Sequence, residues 1–257
     1  TELALLEGAA ETWWLFRLLH IVFGGFRISS LWVNLHGNPN FKVDNDGVNE
    51  LYALLGLPEA KEDPSAQEKL DQYIHSLTFK PTPITELFVS QRKALETVLL
   101  GESSVVSMPT SSGKTRIAEI VILQSLLRDN ISKVLYVAPF RSLAYEVEET
   151  LSSTFNPIGF YVTHLYGGAQ FTAIDRSEME NARVLIATPE KAKAILRTND
   201  DMLNNIKLVV MDEGHLIGAK SREIANEMFT EELRHMVKIN GGRFLLLSAV
   251  LPNAQDM

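Results

Sequence analysis

From about residue 100 the chain alternates short apolar, β-branched runs with segments whose apolar positions recur at helical spacing. The runs are SSVVSM (103–108), KVLYVAP (133–139), FYVTHLY (160–166), RVLIAT (183–188), KLVVMD (207–212) and RFLLLS (243–248). Each reads as a strand. The segments 114–128, 142–154, 189–197 and 222–238 between them read as helices. Strand–helix alternation implies βαβ units and a parallel sheet. Runs that are apolar throughout, rather than at every second position, imply strands covered on both faces. The expected fold is therefore α/β, with a mostly parallel, doubly wound sheet.

The first 80 residues follow a different pattern. Residues 3–35 read as helical, with apolar positions on more than one face, and 37–47 are turn-rich. VNELYALLG is helix-like, 58–67 reads as a loop, and 65–77 as a polar amphipathic helix. Pro81 and Pro83 mark a boundary near residue 80. The expectation is a smaller, mainly helical accessory domain over 1–80, with Trp13, Trp14 and Phe16 in its core, followed by an α/β domain over 81–257. The most apolar early stretch, residues 13–26, is too short to span a bilayer and carries Arg17 and His20, so no membrane partner is expected. There is no cysteine, which fits a reducing, intracellular (cytoplasmic) setting. Residues 1–80 hold 11 acidic and 6 basic side chains, and the remainder 21 and 18. Neither part is a basic patch, so nucleic-acid binding would rest on a few placed contacts and backbone amides. The first residue is Thr1, and Met257 follows closely behind the last strand, which points to a piece of a longer protein.

Two stretches carry candidate chemistry. Gly113, Lys114 and Thr115 follow one predicted strand and open a predicted helix, as a phosphate loop does. Amides of Thr110, Ser111, Ser112 and Gly113 would cradle phosphate oxygens at the helix N-terminus. Lys114 would reach the β/γ-phosphates of ATP, and the Thr115 hydroxyl would bind Mg²⁺. The bland alternative is a polar loop with Ser111 or Ser112 as a helix cap. Met108 stands where the general pattern has its first glycine. The second stretch, VVMDEGHLIG, ends an apolar strand in two adjacent carboxylates, Asp212 and Glu213. Two such neighbours repel, and burying one without a partner is costly. A phosphate loop supplies the reason: Asp212 holds the metal and Glu213 acts as general base toward the attacking water. The alternative is an ordinary strand exit with solvated acids. His20, His36, His75, His164 and His235 form no metal-ligand spacing.

Together these segments resemble the superfamily-two helicases of the DExH-box type, most of all the Ski-two-like branch. The resemblance covers about residues 84–253. MPTSSGKT (108–115) is similar to motif I, APFRSLAYE (138–146) to motif Ia, TPEK (188–191) to motif Ib, DEGH (212–215) to motif II, SAV (248–250) to motif III, and ELFVSQRKAL (86–95) to the adenine-reading segment. The resemblance implies a RecA-like P-loop NTPase domain that uses ATP and Mg²⁺. Gln91 would read the adenine edge, with Phe88 against the base. His215 and Ser248 would couple the ATP site to the nucleic-acid face. Arg141, Thr188, Gly167 and Gly168 would contact one strand, mostly at phosphates. Val250 departs from the usual threonine of motif III and removes a hydroxyl that helps couple hydrolysis to movement.

The implied function is the ATP-binding half of an ATP-dependent helicase or translocase. The implied partners are single-stranded or partly duplex nucleic acid, a second RecA-like domain of the same full-length chain, and an accessory protein. That second domain brings arginines that contribute about 10³–10⁵ in rate, so this chain alone is expected to hydrolyse ATP very slowly. The branch includes helicases of bacterial anti-phage systems with unusual N-terminal regions. Two other readings stay open: an ATP-switched nucleic-acid clamp or sensor that does not unwind, and a P-loop enzyme of another class such as a small-molecule kinase.

Overall fold

The computed structural model describes residues 87–109, 113–165, 170–198, 201–214 and 221–249, with Lys69, Gln72 and Tyr73. Residues 1–100 and 101–257 form separate units. In the first unit, Lys69, Gln72 and Tyr73 are helical, as expected of 65–77, and helix α1 spans Val89–Val98. Sequence reading took 86–95 only as an adenine-reading segment. The expectations for 3–35, 37–47 and Trp13, Trp14 and Phe16 lie outside the described residues.

In the second unit the six expected runs all form strands: β1 Ser104–Ser107, β2 Lys133–Val137, β3 Val162–His164, β4 Val184–Ala187, β5 Ile206–Met211 and β6 Arg243–Ser248. They make one sheet in the order β1-β6-β5-β2-β4-β3, and every pairing is parallel. The helices are α2 Lys114–Arg128, α3 Arg141–Phe155, α4 Ala173–Asn181, α5 Pro189–Leu196 and α6 Ser221–Ile239. All but α4 match the expected segments to within a residue or so. Sequence reading did not single out α4, although it carries its own start signal. Thr172 and Asp175 form a reciprocal capping box, in which the Thr172 N–H donates to Asp175 Oδ2 (2.7 Å) and the Asp175 N–H to Thr172 Oγ1 (3.3 Å).

Alternation within the strands explains the two-sided burial. Leu135, Val137, Leu185, Ala187, Val209, Met211, Phe244 and Leu246 join one core with Met179 of α4, Ile195 of α5 and Phe229, Leu233 and Val237 of α6. The intervening positions, such as Val134, Tyr136, Ile186 and Leu208, face the side where α2 and α3 contact the strands. Strands β2, β4 and β6 are buried along their whole length, as strands with helices on both faces must be. A register shift between Lys133 and Val134 puts an irregularity at the start of the β2–β5 pairing.

The starting ends of the strands are tied by basic side chains to carbonyls left over at helix ends. Lys133 Nζ donates to the Met179, Glu180 and Ala182 carbonyls at the end of α4. The Arg183 guanidinium donates to Ser132 O (2.7 Å), Asn130 O (2.8 Å) and Asp129 O (2.9 Å) after α2. Because all the strands run one way, the opposite edge gathers every strand's carboxyl end. That edge is where open α/β sheets bind ligands.

Candidate nucleotide-binding site

Lys114, Thr115, Asp212, Glu213 and Ser248 lie on that carboxyl edge. Between β1 and α2 the chain turns at Gly113 (φ 75°, ψ 42°), a left-handed conformation that a side chain would disfavour. Lys114 begins α2 and is buried, with 5% of its surface exposed. Its Nζ stands 3.5 Å from Glu213 Oε1 and forms no hydrogen bond to the described residues. A buried ammonium carries three donors, and leaving them unused is expensive. An anionic ligand beside Lys114 resolves that cost. Thr115, half-buried, sits in the first turn of α2. Thr110, Ser111 and Ser112 lie outside the described residues.

Asp212 follows β5 directly and is only 7% exposed. Its N–H continues the ladder to the Val137 carbonyl (3.0 Å). One carboxylate oxygen accepts the Tyr136 hydroxyl (2.7 Å), and the other accepts the N–H of Glu213 (2.8 Å). Burial pushes the Asp212 carboxyl above its usual range, and the Glu213 charge adds to that. The Tyr136 and Glu213 donors and the Lys114 charge pull the other way. Burial, with Asp212 beside it, raises the Tyr136 phenol well above its ordinary value. Tyr136 is wholly buried and orients the carboxylate from below. Sequence reading took it for one more apolar strand residue. The available signal was a hydroxyl in the middle of an apolar run, which must find a partner.

Glu213 adopts φ 55°, the one positive φ at a non-glycine among the described residues. That conformation costs on the order of 1 kcal/mol, and it turns the carboxylate back toward Lys114. Next in the chain, Gly214 packs so closely on β6 that a Cβ there would lie 2.7 Å from Leu246 Cδ1. His215 lies outside the described residues, as do Gly167, Gly168 and Val250.

The sheet order adds a constraint. Strand β6 lies between β1 and β5, so Ser248 at its end separates the phosphate loop from the acidic pair. Ser248 is fully buried, pairs with Ser107 across the strands, and its carbonyl accepts the Met108 N–H (3.0 Å).

The other expected contacts fall into two groups. Arg141 opens α3 at the end of β2 and is exposed. Thr188 is buried, and its hydroxyl caps α5 by accepting the Lys191 N–H at 3.5 Å. Lys191 is 1% exposed and donates to Asp175 Oδ2 (2.8 Å) and the Gln170 carbonyl (2.9 Å), so this end of TPEK is a structural tie. In the first unit, Gln91 is buried and its Oε1 accepts the Phe88 N–H (2.9 Å), whereas Phe88 is 64% exposed.

The donor set suits Mg²⁺, which takes one or two protein oxygens and completes its shell with water and substrate phosphates. Asp212 and Thr115 would hold it, and it would supply charge neutralisation on the phosphates. Among the described residues no cluster of three His, Asp or Glu side chains forms a separate metal cage.

Lys114 opening the helix behind β1, an acidic end to β5 and β6 between them on one parallel sheet match the layout of a RecA-like NTPase domain. Residues 89–257 match the DEAD/DEAH box helicase family. The chain is 42% identical over 255 residues to Hachiman protein HamB of Bacillus cereus, covering 99% of this chain and 20% of that protein. It is 31% identical over 190 residues to ATP-dependent DNA helicase Hel308 of Pyrococcus horikoshii, covering 74% of this chain and 25% of that one. The crystal structure of DUF1998 helicase MrfA bound to DNA superposes with a TM-score of 0.60 at 27% identity, over 72% of this chain and 25% of the other. The chain belongs to the DEAD/DEAH box helicase family. It spans 20% to 25% of the length of the two curated relatives.

Proposed function

We propose that this chain is the first RecA-like domain of an ATP-driven nucleic-acid helicase or translocase, residues 81–257, preceded by an accessory domain over 1–80. The observation that carries the reading is the Lys114–Glu213–Asp212 constellation, a buried ammonium facing two carboxylates across β6. Lys114 releases Glu213 and engages the β/γ-phosphates when ATP enters. Glu213, 18% exposed at its side chain, then accepts a proton from the attacking water. Asp212, held by Tyr136, and Thr115 hold the metal. Loop amides of Thr110 to Gly113 cradle phosphate oxygens. Gln91 reads the adenine edge, with Phe88 against the base.

Ser248 and His215 carry the change toward the nucleic-acid side, where Arg141, Gly167, Gly168 and the α5 N-terminus at Thr188 contact the backbone of one strand. A second RecA-like domain of the full-length protein closes the cleft and supplies the transition-state arginines. Its ATP and nucleic-acid substrates place its work inside the cell.

The test is the ATPase rate of the full-length protein with and without single-stranded DNA and RNA, beside a Glu213→Gln variant. Stimulation that disappears in the variant supports the reading, and the stronger activator identifies the substrate. ATP binding without stimulation by either overturns the motor in favour of an ATP-switched clamp.

A further inference from the structure

Helix α3 begins in an unusual way. Its N-cap residue is Phe140, which has the extended backbone of a capping position (φ −134°, ψ 150°) but a side chain that accepts no hydrogen bond, and the first turn holds no acid. Serine, threonine, asparagine or aspartate there would stabilise the helix. Instead the ring stands 59% exposed at the carboxyl edge of the sheet. Five residues on, Tyr145 is 58% exposed. It lies four residues after Arg141, on the same flank of the helix. Among the described residues from 101 on, the exposed aromatics are Phe140, Tyr145 and Tyr161. Tyr161 precedes β3 at the opposite edge, where its hydroxyl reaches Glu178 (3.4 Å). In sequence the two exposed aromatics thus flank an exposed arginine at a helix start with no side-chain cap.

That combination matches one ligand chemistry. The guanidinium and uncapped amides suit phosphate. Flat rings offered to solvent suit the faces of unstacked bases. The nearest acids on the helix do not cancel this arrangement. Glu148 is engaged by the His164 N–H (3.1 Å), while Glu146 and Glu149 follow Tyr145 away from the helix start.

We propose that Phe140 and Tyr145 form a stacking platform for the bases of single-stranded nucleic acid, whose phosphates Arg141 and the α3 N-terminus hold. The proposal rests on the helicase reading above and adds contact with bases to contact with the backbone.

The experiment uses the full-length protein and fluorescence anisotropy of a labelled oligothymidylate, compared with a strand of equal length carrying abasic sites. The proteins are wild type, Phe140→Ala/Tyr145→Ala, Phe140→Ser and Arg141→Ala, each over a range of salt. Wild type is expected to bind the abasic strand roughly 5- to 150-fold more weakly per lost stack. The double variant loses a similar factor on the intact strand and becomes indifferent to abasic sites, with its salt dependence unchanged. Arg141→Ala keeps the abasic sensitivity and lowers the salt slope by about one. Phe140→Ser separates binding from folding. It supplies the missing cap, so its Tm is expected to rise while its affinity falls. Abasic sensitivity that persists in the double variant overturns the platform while leaving the helicase reading intact. So does unaltered binding in that variant, which would turn the rings toward a protein partner. A wild-type protein that binds neither strand overturns both.

Discussion

Lys191 offers the sharpest test of how α4 and α5 are held together. Its ammonium is 1% exposed, and its partner Asp175 is 5% exposed. Two charges withdrawn from water this far stabilise little as a pair, but removing one strands the other and costs about 3–5 kcal/mol. The two halves are not equally exposed to that penalty. In Lys191→Met, Asp175 Oδ2 keeps two donors, the Thr172 N–H and hydroxyl, each at 2.7 Å. In Asp175→Ala, Lys191 keeps only the Gln170 carbonyl at 2.9 Å among its side-chain contacts described here. Lys191→Met is therefore expected near 3 kcal/mol and Asp175→Ala near 5 kcal/mol, with the double variant well short of their sum.

The assay is urea unfolding of the 257-residue chain, followed by circular dichroism from pH 7 to pH 3.5. The pH dependence has a definite sign. Burial raises the Asp175 carboxyl, but hydrogen bonds from Lys191 and Thr172 outweigh it and hold the group below its ordinary value of 3.8. The unfolded chain thus binds the proton more readily, so this stabilisation is present above the ordinary value and is lost as pH falls through the folded one. Without Lys191 the carboxyl rises, and the gap between wild type and Lys191→Met narrows on acidification through the carboxylate range. A loss below 1 kcal/mol, or a gap that stays constant from pH 7 to pH 3.5, refutes the reasoning. Both would mean that solvent reaches the pair.

Other expectations concern the site itself and the turn that closes the sheet. Glu213→Gln should cut nucleic-acid-stimulated hydrolysis by about 10²–10⁴ while ATP still binds, as the loss of a general base does; equal loss of nucleotide affinity in a filter assay would speak against that role. Glu213→Gly should be as inactive and no more stable than wild type, because relief of the φ 55° conformation, about 1 kcal/mol, is offset by stranding the buried Lys114 ammonium 3.5 Å away. Tyr136→Phe removes the donor at 2.7 Å from Asp212 and so raises that carboxyl further. Mg²⁺-dependent nucleotide binding should then fail at a higher pH than in wild type, and coincident pH profiles would exclude the coupling. At the α6–β6 turn, a Cβ on Gly242 would sit 2.2 Å from the Lys207 carbonyl oxygen, whereas one on Gly241 (φ +70°) meets nothing within 4 Å. Gly242→Ala should cost about 3 kcal/mol or more and Gly241→Ala about 1 kcal/mol, which differential scanning calorimetry separates.

What the sequence disclosed, and what it withheld, follows from which physics is local. Strands such as LLLS in β6 and VVM in β5 were legible because double-sided burial demands an unbroken apolar run, and that demand is written into adjacent residues. The placement of Lys114 and Asp212 at the carboxyl edge was legible because the motif pattern ties each residue type to a loop or a strand end. Neither kind of signal reports partners across the sheet. Tyr136 and Asp212 stand 76 positions apart, and only the β2–β5 pairing brings the hydroxyl under the carboxylate. Lys191 and Thr188 show the same limit from the other direction. The TPEK motif suggested a surface read by nucleic acid, but packing of α4 against α5 buries the lysine on Asp175 and uses the threonine hydroxyl as a cap. A motif states which side chains a function requires near a place. Whether each touches the ligand or holds the backbone that does is decided by burial. At this edge the split is sharp: Thr188 and Lys191 lie inside, and Phe140, Arg141 and Tyr145 lie out in solvent.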